Sequence, residues 1–229
     1  MAKSKSKTES SASSIVGQAQ RVGIFGSSGC GKTTKARELI KNLGRVIYFE
    51  PLAYDIRELK AKDVYKVINC ISNLFTELQK SYQKGFRIAF WPGINTEEVD
   101  LSTISNQLMR IQSGYGLQHN AQITLVVDEL DLAFPSGITQ RNPNNGFKNL
   151  CCRGRHTGLN IVGISQRMHL IDNVFRANCS AFYLFRHAEP ADIDTGLKIL
   201  GREYRDTFKN LNNFEYVYKS GNKIFIHRK

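Results

Sequence analysis

Gly26, Gly31, Lys32 and Thr33 fall in the spacing G-x-x-x-x-G-K-[ST], inside the run Gly26, Ser27, Ser28, Gly29, Cys30, Gly31, Lys32, Thr33, Thr34. Backbone N–H groups in such a turn converge on one point, and the positive end of the following helix adds to the pull on an anion. The chemistry served is triphosphate binding. Lys32 reaches the β- and γ-phosphates and the Thr33 hydroxyl ligates Mg²⁺, so ATP and Mg²⁺ are the expected ligands.

Holding phosphates does not hydrolyse them. A metal anchor and a group that activates water are also needed, and ITLVVDEL offers both. Five apolar residues form a buried strand, and Asp128 emerges at its carboxyl end, where ligands bind in open α/β sheets. From there Asp128 can hold the metal together with Thr33, while Glu129 orients the attacking water. Asp and Glu also favour a helix's first turn, but a strand ahead of them in a chain with a phosphate loop favours the catalytic reading. LNIVGISQ is a second buried strand, ending in Gln166. Its amide can donate to the γ-phosphate or hold water in line, or can simply cap the strand. Arg153 and Arg155 precede that strand with no carboxylate nearby in sequence. Each is a candidate finger for a neighbouring subunit's ATP, or a contact to DNA phosphate.

These residues need elements to position them. Val22, Ile24 and Phe25 make a strand before the loop, and Ala36, Leu39, Ile40 and Leu43 recur at helical spacing after it, with Gly44 as a stop. RVIYFEP, DVYKVIN and FRIAFW read as strands, while Ile71 to Tyr82 and Leu101 to Ile111 carry helical periodicity. FPSGITQRNPNNG is dense in turn formers and reads as loop, with a short helix over Phe147 to Arg153 after it. FEYVYK and KIFIH flank Ser220, Gly221 and Asn222 as a hairpin. Alternating strands and helices predict an α/β fold, a mostly parallel central sheet with helices on both faces and a β-hairpin at the C-terminal end.

At 229 residues the chain suits one such domain, expected over 20–229, behind a Ser- and Lys-rich basic tail over 1–19. The tail can touch nucleic acid or stay solvated. No apolar run approaches the ~18–20 residues that cross a bilayer, which points to a soluble body. The five cysteines form no C-x-x-C pair, an arrangement suited to a reducing compartment, and Cys30 reads as an ordinary small loop residue. Net charge is +12. From Leu132 to Ile171 there is no Asp or Glu, yet Arg141, Lys148, Arg153, Arg155 and Arg167 fall there. Such a balance suits a polyanionic partner, or solubility alone.

GSSGCGKTT, ITLVVDEL and RGRHTGLNIVGISQR, in this order and spacing, resemble the FtsK–HerA superfamily of DNA-pumping ATPases. The chain is similar in particular to genome-packaging ATPases of tailless viruses with an internal membrane, and to the Zot-like assembly ATPases of filamentous phages. LFRHAEPADIDTGLKILG looks like the superfamily's strand and helix beyond the sensor. The resemblance implies a RecA-like P-loop NTPase of the ASCE type, with an extra strand between the phosphate-loop strand and the Asp128 strand. It implies Walker A roles for Lys32 and Thr33, Walker B roles for Asp128 and Glu129, a sensor role for Gln166 and a trans-acting role for Arg155. A homo-oligomeric ring, a hexamer, threading double-stranded DNA is implied too, docked on a capsid vertex or inner-membrane proteins. The location expected is host cytoplasm and virion. Zot-like proteins usually carry a membrane span; its lack favours packaging. A cellular DNA pump, a small nucleotide kinase, or a DNA-binding protein that uses ATP only to assemble are the alternatives.

Overall fold

The structure, a computed structural model, describes residues 19–52, 56–57, 65–115 and 121–229. Residues 1–18 of the basic tail lie outside them, whereas Ala19 is buried against the body.

Among the described residues nine strands form one sheet, in the order β3-β4-β2-β5-β6-β1-β7-β8-β9. They are β1 (Arg21–Phe25), β2 (Arg45–Phe49), β3 (Lys66–Ile68), β4 (Phe86–Phe90), β5 (Ile123–Val127), β6 (Leu159–Ser165), β7 (Ala181–Phe185), β8 (Tyr216–Ser220) and β9 (Lys223–His227). The first seven run parallel, and β8 and β9 add antiparallel. The central strands β1, β5 and β6 are buried at every position, as strands covered on both faces must be. This is the predicted α/β class, hairpin included. The part of DVYKVIN before Tyr65 lies outside the described residues, and Lys66–Ile68 is strand.

Alternation along each strand splits the core in two. Ile24, Tyr48, Val126 and Ile164 face one side, where Ala36 and Ile40 of α1 (Lys32–Ile40) cover them. Phe25, Phe49, Val127 and Ile161 face the other. There they meet α2 (Ile71–Ser81), α3 (Glu97–Ile111), α6 (Gly146–Arg153), α7 (Asn173–Asn178), α8 (Pro190–Leu200) and α9 (Arg205–Lys209). Between β5 and α6 lie two single turns, α4 (Leu130–Ala133) and α5 (Ile138–Arg141). The segment read as loop thus contains a helical turn. Thr139 explains it: its N–H and hydroxyl both donate to Asp172 Oδ2, at 3.3 and 2.9 Å, a partner distant in sequence.

What matters for function is the middle of the sheet. β6 lies between β1 and β5, with Phe25 beside Ser165 and Val127 beside Gly163. This is the inserted strand that the resemblance implies. The carboxyl ends of β1, β5 and β6 therefore open at one edge, and the residues following them share one place.

Candidate nucleotide site

β1 ends at Phe25 and the chain turns at once. Gly26 N–H donates to Ser165 O at 3.3 Å and Ser27 N–H to Arg186 O at 2.8 Å, so the loop is tied to the ends of both neighbouring strands. Gly26 has no room for a side chain: a Cβ there would lie 2.5 Å from Phe185 Cβ and 2.7 Å from Cys30 Sγ. Gly31, at φ 105°, takes the left-handed backbone that opens α1. Lys32 is buried and folds back over its own loop, its ammonium 3.0 Å from Ser27 O. Thr33 is half-buried and Ser28, Gly29 and Thr34 are exposed, so the mouth of the loop faces solvent. Cys30 is buried, and burial pushes its thiol up, away from a reactive thiolate.

Asp128 N–H donates to Phe49 O at 3.0 Å, which continues the β2–β5 ladder one residue beyond the strand. Its carboxylate accepts from the Tyr48 hydroxyl at 2.9 Å on Oδ2 and from Glu129 N–H at 3.0 Å on Oδ1. Tyr48 is fully buried; burial first, then the Asp128 charge, push its phenol well above its ordinary value. It therefore stays a donor. Sequence reading missed Tyr48 because an aromatic in an apolar strand looks like core, and the contact spans 80 residues.

Glu129 adopts φ 42°, ψ 52°, a left-handed conformation that costs a non-glycine residue roughly 1–2 kcal/mol. Its Oε1 accepts from Gln166 Nε2 at 2.9 Å. Burial raises the Glu129 pKa, the Gln166 hydrogen bond opposes the rise, Asp128 and Asp131 add to it, and Lys32 pulls it down. Glu129 thus lies within electrostatic reach of the phosphate-loop lysine. The end of β6 is itself fixed: Ser165 Oγ donates to Asp131 Oδ1 and accepts from Arg167 N–H at 2.9 Å.

Beyond β7, His187 is buried, and desolvation lowers its pKa to about 4. The Asp192 carboxylate of α8 pulls it up and Lys32 pushes it down. Asp192 also accepts from His169 N–H and contacts His169 Nδ1, both at 2.9 Å, and pairs with Arg167 at 3.4 Å. No motif announces this buried group; RHAEPADID shows only that both residues flank a helix start.

Arg153 and Arg155 are not brought to this edge. Both are exposed and sit before the amino end of β6. A seven-residue strand spans about 23 Å, so neither reaches the chain's own phosphate loop. Neither has a carboxylate partner among the described residues. Nearby, buried Arg21 donates to Leu150 O and Cys151 O at 3.0 Å each, fixing the end of α6.

Asp128 and Thr33 offer hard oxygen donors, which suit Mg²⁺ bound with substrate phosphates and few protein ligands. A Cβ on Gly29 would meet nothing within 4 Å, so the loop is open to solvent at that position. The residues fit the pair of ligands.

The fold is that of a P-loop ATPase with an added central strand. It is similar to the genome packaging NTPase B204 from Sulfolobus turreted icosahedral virus 2 in complex with AMP, with TM-score 0.68, 14% identity, and 92% of this chain and 97% of that one covered. The DNA-packaging ATPase B204 from Sulfolobus Turreted Icosahedral Virus gives TM-score 0.69 and 16% identity, covering 91% of this chain and 97% of that. VirB4 of Thermoanaerobacter pseudethanolicus gives TM-score 0.65 and 13% identity, covering 90% and 88%. No family model and no curated sequence matches the chain. At these identities the likeness shows architecture, the one implied by the FtsK–HerA resemblance. No helix among the described residues is long and apolar enough to cross a membrane.

Proposed function

We propose that the chain is an ATP hydrolase that drives double-stranded DNA, packaging a viral genome into a preformed capsid as a homo-oligomeric ring, with a hexamer favoured. One observation carries the reading: Gln166 donates to Glu129 at 2.9 Å across the ends of β5 and β6, beside the phosphate loop. A carboxylate held by an amide at that place suits orienting water better than receiving a phosphoryl acceptor, which disfavours the nucleotide-kinase alternative.

In this mechanism residues 26–34 bind the phosphates through their N–H groups, and Lys32 leaves Ser27 O to take up the β- and γ-oxygens. Thr33 and Asp128 would hold Mg²⁺, which neutralises charge on the phosphates when bound. Tyr48 keeps the Asp128 carboxylate turned toward the metal position. Glu129 accepts a hydrogen bond from the attacking water, and Gln166 fixes the Glu129 carboxylate and senses the γ-phosphate. Arg155, with Arg153 as the other candidate, serves the pocket of the next subunit, since neither reaches its own. The segment from Pro135 to Asn145, with exposed Arg141 at the end of α5, is the proposed grip on DNA phosphate. Arg141 is shared there with Glu98 at 3.4 Å, an exposed pair that is cheap to exchange.

Phosphate release is the test. The wild-type chain should release phosphate from ATP without any acceptor and faster with double-stranded DNA. Lys32→Ala should abolish turnover, and Glu129→Gln should hold ATP uncleaved. Wild-type turnover in Lys32→Ala refutes the site; release that needs an acceptor favours a kinase; binding without turnover under any DNA condition favours an assembly role. DNA affinity should fall steeply with salt.

A further inference from the structure

A phosphate cradle does not say what holds the nucleoside end. Phe214 stands in the turn between α9 and β8, at φ 68°. A bulky residue in left-handed backbone is strained, and such strain persists where the surroundings enforce it. Burial is not what it gains, for the side chain is 46% exposed.

The phosphate loop does the enforcing. Phe214 N–H donates to Cys30 O at 3.0 Å, and the ring lies against Gly31, where a Cβ would come 2.8 Å from Phe214 Cδ1. The turn is locked from the other side by Glu215. Its Oε2 accepts from Asn212 N–H at 2.8 Å, from Asn212 Nδ2 at 3.3 Å and from Arg228 at 2.9 Å. The Lys229 ammonium lies over one ring face, 4.9 Å from the centroid, an exposed cation that a stacking base on that face would displace. The result is an aromatic plane held beside the residue that opens α1, against the phosphate loop.

We propose that Phe214 is the platform on which the base of the bound nucleoside triphosphate stacks, and that the site takes purine nucleotides with little choice between adenine and guanine. This rests on the nucleotide reading above. Stacking on an aromatic face is tolerant of base identity and favours the larger ring system, and no selecting hydrogen bond is part of the proposal.

The experiment is calorimetric titration of the full chain with ATP, GTP, CTP and inorganic tripolyphosphate, each with Mg²⁺. Wild type should bind ATP and GTP within a few-fold of each other and CTP more weakly. Phe214→Ala should weaken ATP by about 5- to 150-fold, the range measured for lost base stacking, and leave tripolyphosphate unchanged; Phe214→Tyr should restore ATP. Phe214→Gly should lose ATP affinity equally while its denaturation midpoint stays at or above wild type, because glycine accepts the backbone angle. Wild type that binds CTP as tightly as ATP, or Phe214→Ala that binds ATP within twofold, overturns the platform alone. Equal loss of ATP and tripolyphosphate also overturns it, making Phe214 a prop for the loop. Wild type that binds neither ATP nor tripolyphosphate overturns the nucleotide reading beneath.

Discussion

Replacing His187 by phenylalanine should remove a large part of the acid sensitivity of folding. The imidazole is 5% exposed, packed by the Phe208 ring at 5.7 Å, with Asp192 of α8 and Lys32 of α1 as the charges acting on it. Burial lowers its pKa from 6.5 to about 4. A depressed folded value means that the unfolded chain binds the proton first as pH falls. The stability from keeping the ring neutral is thus full above pH 6.5, declines between 6.5 and about 4, and levels off below. The gap corresponds to about 3 kcal/mol. Phenylalanine fills the same slot and does not titrate. Urea unfolding of both proteins, followed by far-ultraviolet circular dichroism in steps from pH 7.5 to 4.5, reports the imidazole together with its interaction with Asp192, since the remaining groups are common to both. The difference in stability should change by roughly 2–3 kcal/mol over that range in favour of the variant. Two parallel curves, separated by a constant offset, would refute the reasoning. A neutral ring also adds no second positive charge near Lys32.

Gln166→Leu should lower turnover and move the acid limb of the rate profile to higher pH, since its hydrogen bond opposes the rise that burial imposes on Glu129; a profile reduced in height but unmoved in pH would count against this. Tyr48→Phe removes the donor to Asp128 Oδ2 and should raise the Mg²⁺ needed for half-maximal turnover by about 10- to 100-fold, as loss of a group that orients a metal ligand does. Arg155→Ala should slow turnover by about 10³- to 10⁵-fold. Mixed with Lys32→Ala subunits it should regain activity that neither variant has alone, and failure to recover in any mixture argues against a role in trans.

The parts of the site carried by contiguous sequence were legible. The strand, loop and helix around residues 21–40 announce themselves through local spacing, and Asp128, Glu129 and Gln166 are legible because an apolar run fixes which residue leaves the sheet first. The inserted position of β6 came from resemblance, not from any property of Leu159–Ser165. What stayed hidden depends on backbone angle or on distant partners. Nothing in the side chain of Phe214 or Glu129 signals a positive φ. Tyr48 acts through a residue on the adjacent strand, His187 through a helix not yet reached by the chain, and the helical turn at Ile138–Arg141 exists because Asp172 returns to hold Thr139.

β6 carries Gln166 just past one end and Arg155 just before the other, and it is hydrogen-bonded along both sides. Such a strand has almost no slack. In the proposed ring, a shift of the Gln166 end when the γ-phosphate departs would travel through it as through a push-rod, arriving at the arginine lent to the adjoining subunit. Firing order around the circle would then need no separate messenger: one stiff segment couples the spent chamber to the loaded one.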